Sequence, residues 1–122
     1  KNKHIRLSMH LFKYHGRELF AEDIAVKELA EKYGTPLYVY SYNTILRHFQ
    51  VYTKAFKDYP HIICFALKAN SNIAILRLFA KSGGGADIVS GGELYKALEA
   101  GISPKKMPTR LGVSGPWPGP AG

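Results

Sequence analysis

Six apolar residues, Ile62 to Leu67, run directly into a lysine in the stretch "IICFALKANSN". Side chains alternate along a strand, so Lys68 is expected to share a face with Ala66 and Cys64, while Ile63, Phe65 and Leu67 face the other way. The bulkier set suits packing on helices. The smaller set leaves room beside the lysine, at the C-terminal end of its strand, where α/β folds place their active sites. A lysine in partly desolvated surroundings has a lowered pKa and becomes an amine nucleophile for carbonyl groups. The same pattern also describes a strand-end lysine whose flexible stem carries its ammonium into water. Taken alone, the strand favours that solvated end.

Asp87 lies nineteen residues on, in the next expected strand, "ADIV" (86–89). In adjacent parallel βα units it can approach the same mouth, although by pattern alone it reads as a strand-edge carboxylate satisfied by backbone donors. "SGGE" (90–93) has the S-x-x-E spacing of a capping box, in which Ser90 and Glu93 each satisfy the other's backbone N–H. Its two glycines could also admit an anion to the amides of a helix start, but on spacing the cap is favoured. The triple glycine 83–85 follows a helix and precedes a strand, so it reads as a C-cap and turn. His4, His10, His15, His48 and His61 form no HExxH or Cys/His ligand spacing, and no metal is expected. The single cysteine, Cys64, makes no internal disulfide and reads as a small core residue.

The elements that must position these residues alternate. Residues 23–33 put Val26, Leu29, Ala30 and Tyr33 on one helical face, stopped by Gly34. "PLYVY" (36–40) reads as a short strand. Residues 43–57 carry Ile45, Phe49, Tyr52 and Phe56 on an amphipathic stripe. A strand at 61–67, a helix at about 72–81, the strand 86–89 and a helix from Gly92 to Ala100 follow. This is the order of βα units with parallel strands, buried on both faces, which explains a continuous apolar run in place of an alternating one. Two or three such strands cannot close a barrel, which needs eight and typically about 250 residues. The chain is therefore a small open α/β fold or the first part of something larger.

The formal charge of +8 raises the question of nucleic acid. Residues 9–104 hold eleven Lys/Arg against nine Asp/Glu, and the remaining excess sits at Lys1, Lys3, Arg6, Lys105, Lys106 and Arg110. A phosphate-binding face needs clustering on the folded body, so no nucleic-acid partner is expected. The six-residue apolar run is far short of the roughly 20 residues that span a bilayer, and no apolar signal core follows the basic start, so the expectation is a cytoplasmic chain with no membrane association. Residues 1–8 read as an extension ahead of Met9. From Met107 the chain turns Gly/Pro-rich: eight of the fifteen residues from Pro108 to Gly122 are Gly or Pro, which excludes a helix or central strand there.

The segments "YGTPLYVYSYNTI" (33–45), "ICFALKANSN" (63–72) and "LFAKSGGGADIVSGGELYKALEAGI" (78–102), with the following "SPKK", resemble the N-terminal part of the diaminopimelate decarboxylases. These are pyridoxal-phosphate (PLP) enzymes with an alanine-racemase-like barrel, and the resemblance covers residues 9–106 in order. It implies that Lys68 holds PLP, that Ala66 is a small residue beneath the ring, and that Asp87, Ser90 and Glu93 line the cofactor site. It further implies a partial (β/α)-barrel of the TIM type whose "PLYVY" strand belongs to a second, β-rich domain. The implied reaction is decarboxylation of meso-diaminopimelate to L-lysine in lysine biosynthesis, by a homodimer acting on a small amino-acid substrate. The related ornithine and arginine decarboxylases are the nearest alternative, which "TPLYVYSYNTI" and "DIVSGGEL" argue against; a non-catalytic binding fragment is the other. After Lys106 the pattern departs from the family, so residues 107–122 read as a non-family tail. The expectation is a truncated chain with little or no activity alone.

Overall fold

The computed structural model describes residues 10–107; the expected extension at 1–8 and the Gly/Pro segment from Pro108 onward lie outside the described residues. The chain falls into two units, one up to Val51 and one from Tyr52.

The first unit contains a small antiparallel meander that the sequence reading did not anticipate. Strands β1 (Phe12–His15), β2 (Glu18–Ala21) and β3 (Ile24–Ala25) pair in the order β1-β2-β3. His15 pairs with Glu18, leaving Gly16-Arg17 as a two-residue loop, and Gly16 takes φ 65°. Glycine at the first position of a two-residue hairpin loop is the arrangement whose twist matches the strands. Helix α1 (Val26–Tyr33) follows and ends at Gly34 with φ 80°, as the periodicity and the glycine required.

The second hairpin turn is less ordinary. Ala21 pairs with Ile24 across Glu22-Asp23, and Glu22 sits at φ 57°, a region costly for a residue with a Cβ. Its side chain offsets that cost. The Glu22 carboxylate accepts from the Ser41 hydroxyl at 2.7 Å, from the Asn43 backbone N–H at 2.8 Å and from Asn43 Nδ2 at 2.6 Å. Ser41 in turn caps helix α2 (Tyr42–Ala55) by accepting from Thr44 N at 3.0 Å, and Thr44 Oγ1 accepts from Leu11 N at 2.9 Å. Ser41 is the one buried polar side chain among the described residues, and it is fully partnered.

Two expectations fail in this stretch. "PLYVY" is not in a strand: no ladder partner meets residues 36–40 among the described residues, and Tyr38 is 87% exposed. The α2 stripe is covered only in part, with Phe49 buried while Tyr52 and Phe56 are exposed.

The second unit is a βαβα arrangement. Strand β4 (Cys64–Ala66) pairs in parallel with β5 (Gly85–Asp87), joined by helix α3 (Ile73–Lys81) and followed by α4 (Gly91–Glu99). Both strands are shorter than expected: β4 begins only at Cys64 and is followed by a turn in which Ala69 N bonds back to Ala66 O at 3.1 Å, and β5 ends at Asp87 with Ile88 in an isolated bridge. Phe65 stacks on Phe79 of α3 at 4.6 Å, and Leu67, Leu76, Ala86, Ile88, Ala97 and Ile102 form one buried cluster. Full burial of a side chain such as Leu67, Leu76 or Ile88 contributes about 1.5–3 kcal/mol. Cys64 is not in this cluster. It is half-buried on the opposite face of the strand, where burial first and the Asp87 charge second push its thiol pKa up.

Gly83 to Gly85 perform the turn that was expected. Gly83 has φ 85°, and Gly84 N bonds to Phe79 O at 2.9 Å, closing the end of α3. At Gly85 a methyl group would overlap the backbone carbonyl oxygen of Lys106 and stand 2.9 Å from Cys64 Sγ. A backbone atom cannot rotate away, so Gly85→Ala should destabilise the second unit by about 1–3 kcal/mol, read as a lowered urea midpoint.

The hydrogen bond from Ser41 first, then that from the Asn43 backbone N–H, hold the Glu22 carboxyl below its ordinary pKa of 4.5; burial opposes them, and the Asn43 side-chain bond adds the least. A depressed folded-state pKa means stability that is present above the unfolded pKa and lost as pH falls through the folded one. Glu22→Gln should therefore lower the melting temperature at pH 7, and the gap to the unsubstituted chain should close as pH drops below about 4.5. A gap independent of pH would refute the carboxylate's role.

Candidate functional site

The parallel register puts Cys64 opposite Gly85 and Ala66 opposite Asp87. Register partners in a parallel pair leave the sheet on the same side, so one face carries Cys64, Ala66, Gly85 and Asp87, all small except the last. The other face carries Phe65 and Ala86 into the core. This is the division of bulky and small residues expected from the alternation of "ICFAL".

Lys68 stands just past the C-terminal end of β4, in the turn, and not on the strand itself. Its side chain is exposed, so the described residues do not provide the desolvated pocket that the strand pattern left open. Among the described residues it makes no hydrogen bond or ion pair. The turn is placed by Leu67 N, which bonds to Asp87 O at 3.1 Å and so ties the residue before the lysine to the end of β5. Asp87 is half-buried, and its carboxylate also lacks a hydrogen-bond or ion-pair partner among the described residues. The expectation that backbone donors would satisfy Asp87 is not met. An amine and a carboxylate thus stand without partners near the C-terminal ends of neighbouring strands.

Ser90 and Glu93 are engaged. Ser90 is the N-cap of α4 and accepts from Glu93 N at 3.2 Å. Glu93 Oε2 accepts at 2.7 Å from Val89 N, one residue before the N–H that a capping box predicts. Glu93 therefore fastens the chain between β5 and α4, and the segment after Asp87 is held from the helix side. Ser90 spends a lone pair on the cap and keeps its hydroxyl proton available for another acceptor.

Sequence reasoning missed the support under the lysine. After Lys68, Asn70 Oδ1 accepts from Asn72 N at 3.0 Å, and Asn72 caps α3 by accepting from Ala74 N at 2.9 Å. The Asn-x-Asn spacing ahead of an apolar helix carried that signal. Lys96 Nζ also donates to Ser71 Oγ at 2.8 Å, a contact across 25 residues that no local pattern announces.

The free amine fits an aldehyde, and the free carboxylate fits a cationic or donor group beside it. Among the described residues, no helix is long and apolar enough to cross a membrane.

Residues 42–110 match the family model described as the pyridoxal-binding domain of pyridoxal-dependent decarboxylases. The chain is 50% identical over 99 residues to a diaminopimelate decarboxylase of Haemophilus influenzae, covering 81% of this chain and 24% of that protein. It is 53% identical over 94 residues to the diaminopimelate decarboxylase of Aquifex aeolicus, covering 77% and 22%. The crystal structure of diaminopimelate decarboxylase from M. jannaschii in co-complex with L-lysine matches with a TM-score of 0.77 at 42% identity, covering 80% of this chain and 24% of that one. The chain thus spans about a quarter of the length of the relatives it matches.

Ser90→Ala removes the acceptor for Glu93 N and should cost about 1 kcal/mol of stability in urea denaturation. Ser90→Asp, which keeps an acceptor at the N-cap, should cost much less; equal losses would mean that the cap is not what Ser90 contributes.

Proposed function

Because the chain belongs to the pyridoxal-dependent decarboxylases, we propose that its second unit is the lysine-bearing start of a diaminopimelate decarboxylase barrel, with Lys68 as the residue that holds PLP. The observation that carries this reading is that Lys68, one residue beyond Leu67 at the end of β4, and Asp87, at the end of the neighbouring parallel strand β5, each keep a side chain without a hydrogen-bond or ion-pair partner among the described residues. The parallel pair with α3 and α4 outside it is what the first units of an eight-stranded barrel require. The L-lysine held by the M. jannaschii relative matches the product expected from meso-diaminopimelate.

PLP supplies an electron sink for the pair released when carbon dioxide leaves an amino acid. The residues of this chain would do the positioning. Lys68 would be the residue that holds PLP, through its amine. Ala66, in register with Asp87 and on the same face, leaves space for a ring. Asp87 presents an acceptor, and Ser90 offers its hydroxyl proton from the start of α4. Glu93 holds the approach to that helix through Val89 N, which makes its part in the site one of support.

The decarboxylation itself, the substrate, the homodimer and the cytoplasmic setting belong to the whole enzyme and are proposed for it. The 122 residues alone should show little or no turnover, because they correspond to about a quarter of the relatives' length. The identities to diaminopimelate decarboxylases favour that substrate over ornithine or arginine.

Incubation of the chain with PLP followed by borohydride should leave a pyridoxyl group on the peptide containing Lys68. In that chemistry the amine adds to the aldehyde carbon, water leaves, and hydride from borohydride fixes the new carbon–nitrogen bond. Lys68→Ala should remove the label from that peptide. Label spread evenly over Lys54, Lys57, Lys81 and Lys105 would sink the assignment of Lys68. A chimera in which this chain replaces the matching quarter of the H. influenzae enzyme should release carbon dioxide from meso-diaminopimelate, and the same chimera with Lys68→Ala should fall to background.

A further inference from the structure

The turn that carries Lys68 is fastened mostly to itself. Ala69 N bonds to Ala66 O, Asn72 N to Asn70 Oδ1, and Ala74 N to Asn72 Oδ1. Each of these lies within a few residues of the lysine and moves with it. Ahead of the lysine, Leu67 N is held by Asp87 O at 3.1 Å. After it, one side-chain bond reaches another element among the described residues: Lys96 Nζ to Ser71 Oγ, 2.8 Å. Lys96 lies on α4, the helix whose start carries Ser90 and Glu93.

We infer that Lys96 is a positioning residue for Lys68: its bond to Ser71 holds the 68–72 turn against α4 and so sets where the amine meets a carbonyl compound. This deepens the proposed function and rests on it. Lys96 is exposed, and a bond of this kind adds little to global stability. Its effect is local. With the turn held before Lys68 by β5 and after it by α4, the lysine backbone has one arrangement, and a nucleophile gains from such pre-ordering more than the fold does. The neighbouring pair Arg77–Glu99, 3.9 Å apart, also links α3 to α4. It does not touch the turn, which makes it the control.

The test uses the full chain and three substitutions, Lys96→Met, Ser71→Ala and Arg77→Met. Amide hydrogen exchange should quicken at Ala69 and Asn72, whose amides are bonded within the turn, in Lys96→Met and Ser71→Ala, on the order of fivefold, and stay unchanged in Arg77→Met. The rate of borohydride-fixed pyridoxyl capture at Lys68 should fall by a similar factor in the first two. The double variant should be no slower than either single one, and Lys96→Arg should restore the rate. The urea midpoint should move little in any of them. Unchanged exchange in Lys96→Met, or faster exchange with unchanged capture at Lys68, would overturn the positioning role while leaving Lys68 as the anchor. Absence of capture at Lys68 in the unsubstituted chain would overturn the cofactor reading, and the positioning role with it.

Discussion

The second unit depends on one division of labour across a two-stranded parallel sheet. Phe65, Leu67, Ala86 and Ile88 go to one side, where α3 and α4 cover them, and Cys64, Ala66, Gly85 and Asp87 go to the other or to its edge. A shift of one residue in either strand would exchange the two sets. It would put Phe65 on the small-residue side and bring Asp87 toward the core, where an unpaired charge is costly. Burial of the bulky set therefore decides the register, and the register brings the end of β4 alongside Asp87. The composition of the small-residue face is a consequence of packing on the far side.

Gly85 strengthens that register from the open side. The backbone of Lys106 comes so close that no side chain fits, and Lys106 Nζ also donates to Gly83 O at 2.8 Å. The turn before β5 is thus held by the chain that follows α4. The polar groups around the strand ends are spent in the same economical way. Asn72 and Ser90 cap the two helices, Asn70 closes the turn between β4 and α3, and Glu93 takes Val89 N. With these donors and acceptors paired, Lys68 and Asp87 keep side chains without partners near the strand ends among the described residues.

Much of this arrangement was legible because it is periodic or punctuated. The apolar stripe of α3, the glycines at 34 and 83, and the alternation within "ICFAL" all act over a few residues, and the structure follows them; α1 ends at Gly34 as expected, but it begins only at Val26, after the strand Ile24–Ala25, and its Tyr33 is 62% exposed. The failures have physical causes of a different range. "PLYVY" has the composition of a strand, but a strand needs a ladder, and composition does not supply a partner. Tyr52 and Phe56 continue the α2 stripe in sequence, while coverage of that stripe depends on neighbours distant in the chain. The meander at 12–25 was missed because its strands are two to four residues long and alternate poorly, although the Gly16-Arg17 loop offered a signal. Glu93 was read as half of a capping box and does bond a backbone N–H, one residue earlier than the spacing suggests. Lys96 could not be found at all from local pattern, since its partner is 25 residues away.

The candidate site shows why the spacing between Lys68 and Asp87 carries more information than either residue. A lysine after an apolar run is ambiguous, and so is an aspartate in a short strand. The eighteen residues between them leave room for a turn, the nine residues of α3 and the glycine turn that returns the chain to the start of β5. That length is what a parallel crossover over one helix needs. It ends with Ala66 opposite Asp87 and with Leu67 N bonded to Asp87 O. The lysine then has an address: it is the residue after the last one that β5 can hold, so its backbone is placed by the neighbouring strand while its side chain stays free. The crossover length provides both conditions together.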